Sequence, residues 1–498
     1  MHQRRRWTAV PVVVALLAVS TVTQVGIATA GSGSAPELRL IRSTPRIVAR
    51  RSPSGRVFLD PKVFLTATGA DFEIEVSRPD YDTPVSAVQR LPGGSTVTLP
   101  ADVLEAWFGF KRFYRVTVSD QEGDVRFDRL LPFCPNTWQK VRVGPDGPSQ
   151  PIFPDYCSWN PFSLGMVYGI EQDWAASLSS DWYRGISMRL PKGRYAVDVS
   201  IDGRFSDMFD VEPSNASASL SLVVKERHRH HHHVPAQRSR PGLGTRRPTP
   251  GVPADRAPDP STLPDLVPLP SWGIGVRRTR GGEFLSFGAN IWIKGNGPMV
   301  VEGFRREGEP VMDAFQFFYR DGAPVGRAPV GELAFDPRHG HEHWHFKQFA
   351  GYQLLAADRK TVVVSTKESF CLVPTDAIDL TLPEAEWRPG QVGLFSACGG
   401  RDDLWIREVL PVGWGDTYYQ YLPGQSFDVT DLPNGTYFIK VIANPGGRLY
   451  EAARGNNASL RKVILRGKPG HRRVEVPPWH GIDTEGSIAF RALRRVRG

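Results

Sequence analysis

The apolar residues of this chain recur in short stretches in which apolar and polar positions alternate. "VFLTATGADFEIEV", "FYRVTVSD" and "RYAVDVSID" show this pattern early in the chain, and "AFQFFYRDG" and "TYFIKVIAN" show it late. A period of two is typical of β-strands that bury one face. Turn dipeptides such as Asp321-Gly322 and Asn434-Gly435 separate the stretches, as in β-hairpins. The pattern therefore predicts an all-β chain with only short helical pieces.

One segment, residues 225–262, departs from this pattern. It is rich in proline, arginine and histidine and has no apolar period, so it cannot bury enough surface to fold. We expect a disordered basic linker between two β-sandwich-like domains, 36–224 and 263–467, with a basic C-terminal tail at 468–498. The histidines of the linker, at 228 and 230–233, could hold a metal ion loosely, and a simple spacer explains them equally well.

The part before the linker (the first half) and the part after it (the second half) resemble each other. "LPKGRYAVDVSID" matches "LPNGTYFIKVIAN", and "SNASASLSLVV" matches "GNNASLRKVIL". "FKRF" precedes Cys134 by nearly the same distance that separates "FKQF" from Cys371. Because the matches occur in the same order in both halves, we infer a tandem duplication.

The N-terminus predicts export. Three arginines precede a short apolar run, and Ala28-Thr29-Ala30 offers a cleavage site, so residues 1–30 read as a secretory signal peptide. A retained membrane anchor is the alternative, but the run is short for a bilayer, and we expect no membrane span after cleavage.

Export to an oxidising compartment favours two disulfides among the four cysteines. We favour the local pairs Cys134–Cys157 and Cys371–Cys398 over the two other connectivities and over four buried thiols.

Composition narrows the function only a little. The chain has 498 residues, of which 40% are hydrophobic, enough for two cores. Its formal charge of +9 is concentrated in the biased segments, so it does not argue for nucleic-acid binding.

A run of alternating histidines is the strongest chemical feature. "HGHEHWHF" places His341, His343 and His345 at every second residue, so that on a strand their rings project to one face. Imidazoles so spaced suit copper, zinc, iron or nickel. Spacing alone does not choose the metal or exclude His339, and a histidine-rich polar face is the alternative.

Four motifs in the second half together resemble the lysyl oxidase family. They are "HEHWHF", "TKESFCL", "VGWGDTYYQY" and "DVTDLPNGTYFIKVIANP" followed by Asn456-Asn457, within Leu263 to Gly467. The resemblance implies copper(II) bound by His341, His343 and His345. It also implies a lysine tyrosylquinone cofactor made from Lys367 and Tyr418, with Tyr419 and Tyr421 as competitors for the tyrosine position.

The same resemblance implies the reaction: molecular oxygen oxidises peptidyl lysine or another primary amine to an aldehyde, releasing ammonia and hydrogen peroxide. This chain departs from the family in having fewer cysteines and in placing Gly351 where the family has a histidine. The family's catalytic carboxylate is not matched securely, and Asp376 and Asp379 are the candidates for a base.

The first half lacks these residues when the halves are aligned on "FKRF" and "FKQF". Gly109, Trp107 and Glu105 stand opposite the three histidines, and Leu130 stands opposite Lys367. Tyr183 is the candidate counterpart of Tyr418. We therefore expect the first half to be a degenerate copy with a structural, regulatory or substrate-recruiting role.

Two other functions are compatible with the histidine run. A catalytically silent copper-binding extracellular β protein would not need both Lys367 and Tyr418. A zinc-dependent hydrolase would use the three histidines but leaves the lysine and tyrosine motifs unexplained.

Overall fold

The computed structural model describes residues 35–179, 186–226, 248–254, 257–338 and 342–485. The predicted signal peptide, most of the predicted linker and the end of the predicted tail lie outside these residues. The strands of the first half are β1 Glu37–Arg42, β2 Arg46–Arg51, β3 Arg56–Leu59, β4 Val63–Thr68, β5 Phe72–Ser77, β6 Ser86–Arg90, β7 Thr96–Thr98, β8 Phe110–Ser119, β9 Val125–Phe133, β10 Lys140–Arg142, β11 Gly165–Ile170, β12 Trp174–Ser177, β13 Ile186–Arg189, β14 Gly193–Ile201 and β15 Ser217–Glu226.

Helical segments are few and short in the described part of the chain. They are one α-helix, α1 Gly203–Met208, and the 3-10 turns Pro92–Gly94, Ala101–Val103 and Pro260–Thr262. The strands of the second half are β16 Pro264–Pro268, β17 Trp272–Thr279, β18 Gly282–Gly295, β19 Met299–Arg305, β20 Val311–Arg320, β21 Ala323–Asp336, β22 His343–Leu355, β23 Val362–Phe370, β24 Asp376–Ala377, β25 Trp405–Leu410, β26 Trp414–Tyr418, β27 Ser426–Asp428, β28 Gly435–Ala443, β29 Ala458–Arg466 and β30 Arg473–Glu475. The all-β prediction is confirmed. No helix within the described ranges is long and apolar enough to cross a membrane.

Each half contains one larger sheet and smaller ones. In the first half the larger sheet has the order β2-β15-β14-β8-β9, and in the second half a nine-stranded sheet has the order β25-β19-β20-β21-β22-β28-β29-β30, with β23 also on β22. A second sheet of the second half, β16-β18-β26-β24 with β17 and β27, carries the strand that contains Tyr418. The candidate site lies where these two sheets pack.

The two halves share a strand order. β9-β8-β14-β15 in the first corresponds to β23-β22-β28-β29 in the second. The two hairpins even share an irregularity: the register shifts after Phe110 in β8 and after Phe346 in β22. Arg112 and Gln348, the third residues of "FKRF" and "FKQF", both have positive φ at these shifts, 55° and 65°. The shared order supports the predicted duplication, which stays a prediction.

The hydrophobic cores of the halves are not separate. The core of the first half includes Ala377, Leu380 and Trp414 from the second half. Backbone bonds join the halves directly, because Leu164 donates to the carbonyl of Ile378 at 2.6 Å and Leu380 donates to that of Gly165 at 2.9 Å. The first half therefore packs against the segment that follows β23.

Both predicted disulfides are present. Cys134 is bonded to Cys157 and Cys371 to Cys398, with Cα–Cα distances of 6.0 and 5.8 Å. Cys134 and Cys371 each come directly after a hairpin strand, β9 or β23, so each bridge ties the end of a hairpin to a long loop.

The end of the segment that the sequence assigns to the linker is packed. Thr249 is 7% exposed, and its amide donates to the buried Glu302 carboxylate at 3.0 Å. Arg407 donates to the same carboxylate at 2.8 Å and to the Thr249 hydroxyl at 2.6 Å. A buried ion pair needs partners of this kind, so this short segment is fixed on the nine-stranded sheet.

Candidate functional site

Two of the three predicted metal ligands lie together on β22. His343 and His345 alternate along the strand, and their ring centroids are 4.6 Å apart. His341 and His339 lie outside the described residues. The part of the run that is described therefore presents two imidazoles on one face of the strand.

His345 is buried and held from one side of its ring. It is 1% exposed, and its Nδ1 lies 3.4 Å from the Ser369 hydroxyl and 3.6 Å from the Asp336 carboxylate. Burial alone would raise the pKa of Asp336, but the Arg338 guanidinium, with a smaller contribution from His345, lowers it to about 2. A permanently ionised carboxylate at Nδ1 orients the ring and leaves Nε2 on the opposite edge, which is the usual support of a metal-binding histidine.

The predicted cofactor lysine lies on the next strand. Lys367 is in β23, and its backbone pairs with Gly351 of β22. Gly351 is the residue that replaces the histidine of the family. The β23 strand thus carries Lys367 a few residues before Ser369, which contacts His345.

Tyr418 reaches the other face of the same strand. Its ring lies edge-on to Phe370, with 4.0 Å between the ring centroids. Because Ser369 and Phe370 are consecutive, their side chains project to opposite faces of β23. The contacts of His345 and of Tyr418 therefore lie on opposite faces of the strand that carries Lys367.

Three consecutive backbone amides after β23 organise the surroundings of Tyr418. The amide of Leu372 donates to the Glu408 carboxylate at 3.2 Å, and the neighbouring amides of Cys371 and Val373 act to lower the pKa of Tyr418 and of Asp416, against the larger effect of burial. The Cys371–Cys398 bridge anchors this segment. Tyr418 and two carboxyl groups are thereby held beside one another.

Burial dominates the electrostatics of this group. Glu408 and Asp416 are 0% and 5% exposed, and burial raises the pKa of each carboxyl well above its ordinary value. The charge of Asp416 adds to the rise for Glu408. Burial, followed by Asp416 and Glu408, likewise raises the pKa of the Tyr418 phenol. The pair is therefore more basic than surface carboxylates.

Sequence reasoning did not single out Asp416 or Glu408. Asp416 is the acidic residue of "GDTY", two positions before Tyr418, so strand alternation alone places both on one face. Glu408 interrupts the apolar strand "WIREVL". An acid within an apolar strand was the signal that could have identified it.

A narrow cleft opens beside Tyr418. Asp416 and Tyr418 form one wall, Asn290 adds an amide, and the remainder is apolar. Its lining consists of Ala289, Asn290, Ile291, Phe349, Ala350, Tyr352, Phe370, Asp416 and Tyr418. The cleft is small, about 10 Å³, which leaves room for roughly one water molecule.

The two carboxylates that the sequence offered as bases lie elsewhere. Asp376 is 3% exposed and accepts a hydrogen bond from the Thr417 hydroxyl. Its charge is also the main cause of a raised pKa at Tyr419. Thr417 and Tyr419 project to the opposite face of β26 from Tyr418. Asp379 lies beside Gly165 of the first half, bonded to Thr381 at 2.6 Å.

The donor types fit copper. Two imidazoles on one face, one of them oriented by a carboxylate, suit copper and other first-row transition metals. Within the described ranges no group of three His, Cys, Asp or Glu is arranged to hold a metal ion. The third ligand of the predicted set, His341, is outside those ranges, so the three-histidine site stays a prediction.

Comparisons with known proteins point to one family. The lysyl oxidase family model matches residues 329–472. Mouse lysyl oxidase homolog 4 is 28% identical over 138 residues, and human lysyl oxidase homolog 2 is 27% identical over 137 residues. Zebrafish lysyl oxidase homolog 3A is 29% identical over 139 residues.

The matched segments cover 26% of this chain and only 16 or 17% of these relatives. The residues that the family model matches include the histidine run, β23, Asp416 and Tyr418. The second half of the chain therefore contains a lysyl oxidase family domain, at residues 329–472.

Proposed function

We propose that the chain is a secreted, copper-dependent amine oxidase of the lysyl oxidase type. Its substrates would be peptidyl lysine or other primary amines, which molecular oxygen oxidises to aldehydes with release of ammonia and hydrogen peroxide. The observation that carries the proposal is the position of Tyr418: its ring packs on Phe370 of the strand that carries Lys367, and burial, together with the charges of Asp416 and Glu408, raises the pKa of its phenol.

His341, His343 and His345 would hold copper(II), with Asp336 and Ser369 orienting His345. Copper and oxygen would supply the oxidising power that converts the Tyr418 phenol to the quinone part of lysine tyrosylquinone. Lys367 is the proposed nucleophile that links to this ring, because an unprotonated amine adds readily to an electrophilic ring.

The chain's own groups would handle the protons. Asp416, which burial makes more basic, would accept the phenolic proton of Tyr418. It would later accept a proton from the substrate carbon next to nitrogen. Glu408, the second buried carboxyl, would favour a state in which the pair shares one proton. Phe370, Phe349 and Ala350 limit the access of water to the cleft.

A mass-spectrometric test decides the class. After copper loading, we expect a covalent link between the peptides that contain Lys367 and Tyr418, and peroxide release from a primary amine. Tyr419→Phe and Tyr421→Phe should retain the link. Two unlinked peptides, with copper bound and no peroxide, would instead establish a silent copper-binding protein.

The proposed chemistry joins Lys367 and Tyr418 in one covalent cofactor. The Tyr418 ring packs on Phe370, which belongs to the strand that carries Lys367.

Export is part of the proposal, since two disulfides and a signal-like N-terminus both suit an extracellular protein. Detection of the mature chain in the culture medium, beginning near Gly31, would test export.

A further inference from the structure

The loop around Cys157 in the first half reaches the strand next to β26, which is β24. The Tyr156 hydroxyl donates to the carbonyl of Thr375 at 3.0 Å and accepts from the amide of Ala377 at 3.1 Å. These two residues flank Asp376, so a single hydroxyl of the first half holds β24 from both sides.

Other groups of the same loop contact β24 and its neighbours. Asn160, 2% exposed, acts to lower the pKa of the Asp376 carboxyl. The Ser163 hydroxyl donates to the Ala377 carbonyl at 3.1 Å. The Tyr156 ring also packs on Trp414, the first residue of β26, with ring centroids 5.8 Å apart.

β24 is in turn bonded to the part of β26 that carries the site. The amide of Thr375 donates to the Gly415 carbonyl at 3.0 Å, and the amide of Thr417 donates to the Thr375 hydroxyl at 2.7 Å. The Thr417 hydroxyl donates to Asp376. Gly415 and Thr417 are the neighbours of Asp416, and Thr417 also precedes Tyr418, so β24 fixes the backbone on both sides of the catalytic carboxyl.

We propose that the first half is an internal positioning module: through Tyr156 and Ser163 it holds β24, which carries Asp376, and thereby sets Asp416 and Tyr418 in the geometry that cofactor formation needs. This inference rests on the proposed function. It gives the first half a role that needs no metal ligand and no lysine of its own. Tyr156 and Ser163 are positioning residues, since neither is among the residues that line the cleft.

The test compares two tyrosine hydroxyls of the first half in the full-length, copper-loaded chain. Tyr156→Phe removes the hydroxyl that bridges Thr375 and Ala377. Tyr195→Phe, the matched control, removes a hydroxyl that bonds only within the first half, to the Pro191 carbonyl at 3.0 Å. The measurement is the rate of quinone formation per bound copper, from phenylhydrazine-trapped absorbance, with copper content and thermal unfolding recorded alongside.

We expect quinone formation to slow roughly ten-fold in Tyr156→Phe at unchanged copper content, the size of effect expected from losing hydrogen bonds that order a reacting group. Tyr195→Phe should form quinone at the wild-type rate. Ser163→Ala provides a second variant that removes the bond to the Ala377 carbonyl and leaves the Tyr156 bonds in place, and it should also slow the step. The double variant Tyr156→Phe/Asp376→Asn should be no slower than Asp376→Asn alone, because the two residues act through one strand.

The outcomes separate the two proposals. Wild-type protein that forms quinone, together with Tyr156→Phe and Ser163→Ala variants that form it equally fast, overturns the positioning role alone. Equal slowing in Tyr156→Phe and Tyr195→Phe also overturns it, since it would reflect general destabilisation of the first half. Copper-loaded wild-type protein without quinone overturns the proposed function, and the positioning role with it.

Discussion

The two halves of the molecule fold through the same hairpin but differ just before its bulge. In the second half β22 begins at His343, so the histidine run enters the sheet. In the first half β8 begins only at Phe110, and the preceding residues form a turn in which the Phe108 amide donates to the Glu105 carbonyl at 3.0 Å. The first half, which has no histidines before "FKRF", thus also lacks a strand at the position where they would be aligned.

The counterpart of His345 in the first half has no room for a side chain. Gly109 has φ of 101°, and a Cβ there would lie 2.2 Å from the Phe133 carbonyl oxygen. Leu130 pairs with Arg115 in the register at which Lys367 pairs with Gly351. The backbone of the first half therefore does not admit a histidine at Gly109, and placing a metal site there would take more than one substitution.

The counterpart of Tyr418 in the first half stays a prediction. Tyr183, the counterpart suggested by the sequence, lies outside the described residues.

The largest effect is expected when Lys367 of the second half is replaced by leucine, the residue that the first half has at the aligned position, Leu130. Lys367→Leu should abolish the cross-link to Tyr418 and lower amine oxidation by at least ~10³-fold, since no other amine replaces the nucleophile. Leu130→Ala in the first half should leave the cross-link unchanged. Peptide mass spectrometry checks both, and a cross-link that persists in Lys367→Leu would show that the cofactor uses a different lysine.

Copper should likewise bind only to the second half. We expect about one copper per chain, and His343→Ala should weaken it by about 100-fold or more because a direct ligand is lost. Glu105→Ala, at the position opposite His341, should change nothing. Metal analysis of dialysed protein measures the ratio, and full copper retention in His343→Ala would place the metal elsewhere, for instance on the histidines at 228–233.

Sequence reasoning located the fold class, both disulfides and the family because each depends on local patterns. Alternation identifies strands, and the bonded cysteines are close in sequence. The acidic neighbours of Tyr418 were missed because Glu408 reaches it only through packing of β25 against the segment after β23, which no local pattern records. For the same reason the sequence could not show that Tyr156 bonds across more than two hundred residues to Thr375.

The two faces of β26 offer the next contrast. Asp416→Asn should lower kcat by about 10²-fold, because it removes the proposed base, whereas Asp376→Asn should act mainly on cofactor formation. With burial raising the pKa of Asp416, the wild-type rate should fall as the pH drops through that raised value, since the protonated carboxyl cannot accept a proton. Rates on pre-formed cofactor measure this, and an unaltered kcat in Asp416→Asn would exclude it as the base.

The smallest expected effect concerns the contact between the halves. Burial raises the pKa of Asp376 from 3.8 to about 6, although the hydrogen bond from the Thr417 hydroxyl acts to lower it. A raised carboxyl pKa favours the folded state fully below about pH 4, and this contribution is lost as the pH rises through about 6. Asp376→Asn should therefore remove up to about 3 kcal/mol of the fall in unfolding free energy between pH 4 and pH 8.

Denaturant titrations of the full chain at the two pH values measure this difference, with Asp402→Asn, an exposed aspartate of the second half, as the matched control. An equal pH dependence in wild type and Asp376→Asn would mean that Asp376 stays as well solvated in the folded chain as in the unfolded one. The first half would then not exclude water from β24. Its contact with the second half would be weaker than the hydrogen bonds of Tyr156 imply.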